Sequence, residues 1–347
     1  MNVVVRLTFL AACAILVIKQ LSSLQSGQMF ELLDRVGWMV LLVLISASAA
    51  TIADTMGWMP CITKGSGRVT LAKLLPIRLS CDAVCNSLPA GIAPGETLRA
   101  LLLRDRCGID MTEGAACCLL GKVNMALAHM AYICIVVLFL YLGIGGTIRI
   151  DLLPGGSTGL LGGGCAAALL IVVLIQPYAG PRLSQMFRGI GRIRWEALQR
   201  LARRLAPHLA RIDTHVSEFA RSHPVLLRRS LVSFFAGWVA LGSESVVILL
   251  LLGVNISPLA GLALEAVVSV LRILFFILPS ALGAAELAYI AFLTALGVPD
   301  PVTLSAAFIA IKRLREALWI VLGYAVLAKI MPVGRERPLQ QLIWRKP

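Results

Sequence analysis

Apolar residues run along this chain in long stretches, separated by short clusters of charged residues. A helix needs about 20 mostly apolar residues to cross the hydrocarbon core of a bilayer. Six stretches meet this requirement and predict spanning helices: 3–23, 36–57, 114–143, 158–178, 230–253 and 302–329. Because the first stretch continues through Ile18, we expect it to be a retained span rather than a cleaved signal peptide.

Two further apolar stretches, 69–108 and 257–297, are interrupted in their middle by proline, glycine and alanine. Such a break frees backbone groups that lipid cannot hydrogen-bond, so it must be buried in protein or face water. We therefore predict two broken helical hairpins, either re-entrant or crossing the membrane twice. The predicted fold class is an all-α polytopic integral membrane protein, with about six full spans and these two hairpins.

Composition excludes a soluble domain, since 59% of the residues are hydrophobic and only 14% are charged. The net charge of +14 falls between the apolar stretches, which is typical of membrane edges and not of a nucleic-acid partner. The nine cysteines show no paired spacing and are interpreted as packing residues. We expect no metal and no cofactor.

Arginine predicts the orientation in the membrane. The segment 181–229 holds eleven arginines against three acids, so it should be cytoplasmic, and both termini then lie on the cytoplasmic side of the inner membrane. The resulting domains are a membrane half 1–180, this basic linker 181–229, a second membrane half 230–330 and a basic tail 331–347. Apolar residues recur along the linker at helical spacing, which predicts an amphipathic helix that either binds anionic lipid headgroups or only caps the spans.

The two hairpins resemble each other. Residues 88–96 read LPAGIAPGE and residues 278–286 read LPSALGAAE, so their leucine, proline and final glutamate match at a distance of 190 residues (286 minus 96). Lys122 and Lys312 are separated by the same distance. Because the arginine pattern puts the hairpins on opposite faces, we predict an inverted repeat, a design common among secondary transporters.

The glutamates at the hairpin breaks, Glu96 and Glu286, are the leading functional candidates, because an acid at membrane depth costs at least ~2.5 kcal/mol. Alternatively, each caps its helix or neutralises one arginine. We expect no catalytic residue, and the sequence has no P-loop for ATP hydrolysis. The other predicted substrate-binding residues are Asn86, Arg99, Arg272, Lys122, Lys312, Arg313, Arg315 and Glu316.

The residues around these breaks carry a family resemblance. The stretch from Asn86 to Arg99 and the block from Leu278 to Glu316 are similar to the lysylphosphatidylglycerol synthase transmembrane family, and within it to hopanoid-biosynthesis-associated membrane proteins. The resemblance implies a flippase-like domain that moves a lipid, or the headgroup of one, between leaflets. It also implies an aminoacylated phospholipid substrate in some members and an isoprenoid-derived lipid in others. Only a basic tail follows residue 330, so we do not expect this chain alone to aminoacylate a lipid.

The leading hypothesis is therefore a non-ATP-driven lipid translocator that is not an enzyme and whose partner is its membrane lipid substrate. One alternative is an integral membrane transferase acting on a lipid-linked substrate, with Asp54, Asp82 or Glu113 as its acid or base. Another is a scaffold for lipid biosynthesis. Biosynthetic enzymes and a second copy of the chain are further candidate partners.

Overall fold

The computed structural model of the chain describes residues 36–62, 69–88, 92–142, 222–274 and 284–331, together with Asp34, Thr214 and Glu218. Within these ranges the chain forms helices and no strand, which confirms the predicted all-α class. The α-helices are α1 (Leu41–Trp58), α2 (Leu71–Ser87), α3 (Ile92–Cys107), α4 (Met111–Tyr141), α5 (Pro224–Leu251), α6 (Pro258–Leu274), α7 (Ala284–Ala295) and α8 (Pro301–Ile330). Short 3-10 turns, Gly37–Val40 and Met59–Cys61, extend α1 at both ends.

Three helical segments of the described chain are long and apolar enough to cross a membrane: Gly37–Cys61, Met111–Phe139 and Pro224–Leu251. They correspond to three of the predicted spans. Helix α8 covers the predicted span 302–329 and has 30 residues. The predicted spans 3–23 and 158–178 lie outside the described residues, as does most of the linker 181–229.

Each predicted broken hairpin contains two separate helices, as expected. In the first hairpin, α2 ends at Ser87 and Leu88 is extended, with φ −106° and ψ 141°. This conformation is the one favoured before a proline, and residue 89 is proline. In the second hairpin, α6 and α7 are separated by residues 275–283, which lie outside the described part of the chain.

The helices that follow the two hairpins begin in the same way. Gly108 ends α3 with a φ of +70°, and Gly297 follows α7 with a φ of +68°, the left-handed conformation that favours glycine at a helix end. Asp110 and Asp300 then use a side-chain oxygen to accept from backbone N–H groups in the first turns of α4 and α8. Those two helices begin 190 residues apart, at the distance that relates the hairpin sequences.

Helices α1 and α5 occupy equivalent places in the two halves and run antiparallel. Ser230, near the start of α5, donates to the carbonyl of Gly57, near the end of α1, at 2.6 Å. Gly237, in the middle of α5, lies against Asp54. Towards the other end of the pair, Val43 shares an apolar core with Ile248. The antiparallel course of equivalent helices supports the predicted inversion of the repeat.

Two further helix contacts are also equivalent: in each, the helix that follows one hairpin packs on the first helix of the other hairpin. Helix α4 packs on α6, where His129 and Ser269 share a hydrogen bond of 2.7 Å. The equivalent pair, α8 on α2, is in contact where Gly323 meets the backbone of Leu79. One apolar core lies among α1 to α5 and the end of α8, around buried Trp58, and a second lies among α1 and α5 to α8. No disulfide joins the cysteines of the described residues, and most of these cysteines are buried.

We predict that Gly57→Ala destabilises the protein, although alanine is the better helix former by about 1 kcal/mol. The added methyl group would lie 2.8 Å from the ring of Phe234. Overpacking of this kind costs about 1–3 kcal/mol, so the free energy of unfolding in detergent should fall. The matched control is Gly114→Ala, whose methyl group would meet Ala100 at ordinary contact distances beginning at 3.5 Å. Equal stability of the two variants would contradict the close packing of α1 on α5.

Candidate functional site

A chain of ion pairs begins on α1 in the N-terminal half. Asp54 binds Arg78 of α2, with 2.8 Å between Oδ2 and Nη2. The Nε of Arg78 donates to Oδ2 of Asp82 at 2.7 Å, one turn further along α2. Asp82 also accepts from Nη2 of Arg99 on α3, at 2.8 Å. Two arginines from neighbouring helices therefore share one aspartate.

The chain of ion pairs continues along α3 and reaches α4. Arg99 donates through Nη1 to both carboxylate oxygens of Glu96, at 2.9 and 3.0 Å. Glu96 Oε1 lies 3.1 Å from Nζ of Lys122. The guanidinium of Arg99 also lies over the ring of Trp58, 5.2 Å from its centroid. We call the charged members the N-half cluster: Asp54, Arg78, Asp82, Glu96, Arg99 and Lys122.

The N-half cluster is buried on one side and open on the other. The side chains of Arg78 and Arg99 are 6% and 3% exposed, whereas those of Asp82, Glu96 and Lys122 are 28%, 19% and 37% exposed. Its acids and bases are equal in number, so the cluster carries no net charge. Because lipid does not solvate charged groups, an open ionic edge between apolar helices is unsuited to contact with lipid tails.

Glycines bring the helices of this cluster close together. Gly237 leaves room for the carboxylate of Asp54 against α5, since a β-carbon at that position would overlap Oδ1. Gly95 does the same on α3, where a β-carbon would overlap the sulfur of Cys85 on α2. The ion pairs between α1, α2 and α3 therefore depend on small residues at neighbouring positions.

A second set of ion pairs lies in the C-terminal half. Glu244 of α5 accepts through Oε1 from Nε and Nη2 of Arg315 on α8, at 3.2 and 3.0 Å. Glu265 of α6 accepts through Oε2 from Nζ of Lys312 and from Ser245, the latter at 2.9 Å. Three helices, α5, α6 and α8, are joined in this way.

On the same helix α8, Arg313 binds Glu316 of the next turn at 2.8 Å. We call the charged members of this half the C-half cluster: Glu244, Glu265, Lys312, Arg313, Arg315 and Glu316. Its inner part is closed, since Glu244 and Glu265 have fully buried side chains and the side chain of Lys312 is 3% exposed. Arg315 and Glu316 keep a small open surface.

One polar contact lies between the two clusters. Trp319, one turn beyond Arg315 on α8, donates from Nε1 to Thr51 Oγ1 at 3.1 Å. Thr51 lies one turn before Asp54 on α1. The helices α1 and α8 therefore meet at this hydrogen bond, which lies one turn from a member of each cluster.

A comparison with known families identifies this architecture. The family model of the lysylphosphatidylglycerol synthase TM region matches residues 3–314. The chain belongs to this family. No curated protein and no solved structure matches it.

Membership in the lysylphosphatidylglycerol synthase TM family makes the protein a membrane protein that acts on lipids. The structure brings together three of its predicted site residues, Glu96, Arg99 and Lys122, in the N-half cluster. The C-half cluster contains another four, Lys312, Arg313, Arg315 and Glu316. Asn86 is exposed in the last turn of α2 and is not part of either cluster. The side chains of Arg272 and Glu286 lie outside the described part of the chain.

Sequence reasoning missed the acids that anchor these clusters on the central helices and on α6. Glu244 and Glu265 were not selected, and Asp54 was considered only as an acid or base for a transferase. A signal was present, because Asp54 and Glu244 are 190 residues apart, the same distance as Glu96 and Glu286. In the described residues no three His, Cys, Asp or Glu side chains are grouped to hold a metal ion.

We predict that Arg99→Met lowers the free energy of unfolding by about 3–5 kcal/mol, because Asp82 and Glu96 would lose a buried partner. The measurement is the free energy of unfolding in detergent or mixed micelles. Arg104→Met is the control on the same helix, since Arg104 is 36% exposed and bound to Asp105 at the surface. A loss at Arg99 no larger than at Arg104 would show that the N-half cluster does not support the fold.

Proposed function

We propose that this protein is a non-ATP-driven translocator that moves a lipid, or the headgroup of one, between the two leaflets of its membrane. The observation that carries the proposal is the presence of an ionic cluster in each half, beside an antiparallel pair of equivalent helices. Inverted repeats of this kind allow two arrangements of similar energy, one open to each side of the membrane.

The energetic cost of the clusters supports a functional role. Each charged side chain placed at membrane depth costs at least ~2.5 kcal/mol on insertion scales, and ion pairing only offsets this cost. A protein that merely anchored other enzymes to the membrane could join its helices by apolar packing and small residues alone. A polar headgroup that crosses the bilayer does need charged residues, because it must exchange water for protein partners.

The open edge of the N-half cluster has the chemistry for such an exchange. Asp82 and Glu96 can accept from hydroxyl or amine groups of a headgroup, and Lys122 can donate to phosphate or hydroxyl oxygens. The acyl or isoprenoid tails would stay in the surrounding lipid. The resemblance to hopanoid-associated proteins supports a hopanoid or another isoprenoid-derived lipid as the substrate.

The arginine pattern supports a location and an orientation for the protein in the membrane. We propose the inner membrane, with both termini and the basic linker 181–229 on the cytoplasmic side, where the linker binds anionic headgroups. Biosynthetic enzymes or a second copy of the chain are proposed as further partners.

The transferase alternative would instead use Asp54, Asp82 or Glu113 in a site that opens to one side only.

We predict that Glu96→Gln and Glu286→Gln each slow lipid movement at least about tenfold, because loss of about 1.4 kcal/mol of interaction changes a rate by that factor. The assay uses reconstituted vesicles with fluorescent phosphatidylglycerol, and separately a fluorescent polyhydroxylated isoprenoid lipid. The membrane-impermeant reductant dithionite destroys the fluorescence of the probe in the outer leaflet, so the fluorescence that is lost gives the fraction of probe there.

Asp105→Asn is the control, since the side chain of Asp105 is 46% exposed and forms an ion pair with its neighbour Arg104 outside both clusters. It should move lipid at the wild-type rate. If both glutamate variants keep that rate, the site assignment is wrong. If the wild type moves neither probe faster than protein-free vesicles do, the translocator proposal itself fails. Chemical conversion of the probe, detected by mass spectrometry, would favour the transferase.

A further inference from the structure

The acids Asp54 and Glu244 occupy equivalent positions on the central helices. They are 190 residues apart, as are the starts of α4 and α8. Asp54 lies beside Gly237, and Glu244 is seven residues further along α5, so the two acids are about 10 Å apart along the pair at ~1.5 Å per residue. Because α1 and α5 are antiparallel, the acids are displaced towards opposite ends of the pair.

Each acid binds an arginine of its own half, but the two environments differ. Asp54 uses Oδ2 for Arg78, and its other oxygen lies against Gly237. Glu244 uses Oε1 for both donors of Arg315, while its Oε2 is buried with no hydrogen-bond partner among the described residues. The arginines are not equivalent, since Arg78 is on α2 and Arg315 is on α8.

The two halves are also unequally open at matched positions. The side chain of Lys122 is 37% exposed, whereas that of its counterpart Lys312 is 3% exposed. The side chain of Asp54 is 16% exposed, whereas that of Glu244 is fully buried. Equivalent residues of one repeat therefore lie in an open environment in the N-terminal half and in a sealed one in the C-terminal half.

From this asymmetry we infer that Asp54 and Glu244 are a matched pair of positioning residues, each of which holds its own half sealed in one of two alternating arrangements. The inference rests on the proposed translocator function and adds the residues that control its two states. In the arrangement described above, Glu244 holds Arg315 in the sealed C-terminal half, whereas Asp54 holds Arg78 beside the open edge of the N-terminal half. In the alternate arrangement, Asp54 seals the N-terminal half, and Lys312 becomes open in place of Lys122.

The test measures the accessibility of the two lysines in the wild-type chain and in isosteric variants. Purified protein in vesicles is acylated briefly with N-hydroxysuccinimidyl acetate, and mass spectrometry of peptides gives the rate at each lysine. Lys329, exposed near the end of α8, is the internal reference. In the wild type, Lys122 should react several times faster than Lys312.

Glu244→Gln keeps the size of the side chain but weakens its hold on Arg315, so the sealed C-terminal half becomes less favourable. We predict that the rate at Lys312 rises and the rate at Lys122 falls, which lowers their ratio at least about threefold relative to wild type. Asp54→Asn should do the reverse and raise the ratio, because Asp54 seals the alternate arrangement. An unchanged ratio in Asp54→Asn would show that Asp54 is not the counterpart of Glu244.

A purely structural role for Glu244 gives a different pattern, since local loosening would raise the rate at Lys312 without lowering it at Lys122. That pattern, or an unchanged ratio in Glu244→Gln, would overturn the inference. Arg315→Lys provides the second variant if Glu244→Gln folds poorly, and the same reciprocal change is expected. If the protein moves lipid but the labelling of the two lysines does not change reciprocally, this inference is wrong and the translocator proposal is kept. If the labelling changes reciprocally but no lipid moves, the translocator proposal is wrong and the two alternating arrangements are kept.

Discussion

Charge inside a lipid bilayer has to be neutralised by the protein itself, and this constraint organises the helices that the structure describes. Arg78 and Arg99 are buried between apolar helices, and each is paired with one carboxylate of its own helix and one of a neighbouring helix. The same requirement brings Glu244 to Arg315 and Glu265 to Lys312 in the other half. Ion pairs are therefore the specific connections between helices whose apolar surfaces pack without strong directional preference.

Close helix packing makes these ion pairs possible. Gly237 admits the carboxylate of Asp54 between α1 and α5, and Gly57 admits the ring of Phe234 at the same interface. Without a β-carbon, two helices approach closely enough for short side chains such as aspartate to reach across. The central pair α1 and α5 thus serves as the common support of both clusters, and its antiparallel course relates the two halves.

The two clusters differ in openness although they occupy related places in the repeat. An open edge at Asp82, Glu96 and Lys122 is suited to a polar headgroup, while the sealed inner part of the C-half cluster excludes one. A translocator needs both environments, because a pathway open at both ends would leak. The asymmetry between halves is therefore the structural feature most relevant to the proposed lipid movement.

The sequence by itself determined the all-α membrane fold, the broken hairpins and the family, because apolar length, proline breaks and the hairpin residues are local properties of the chain. It also indicated Glu96, Arg99 and Lys122, which lie within one repeat unit. Only the tertiary structure decided which charges pair, since Glu244 and Arg315 or Glu265 and Lys312 come from helices that are not consecutive in the chain. The tertiary structure also decided which half is open, because the exposure of matched residues such as Lys122 and Lys312 depends on the helices packed around them.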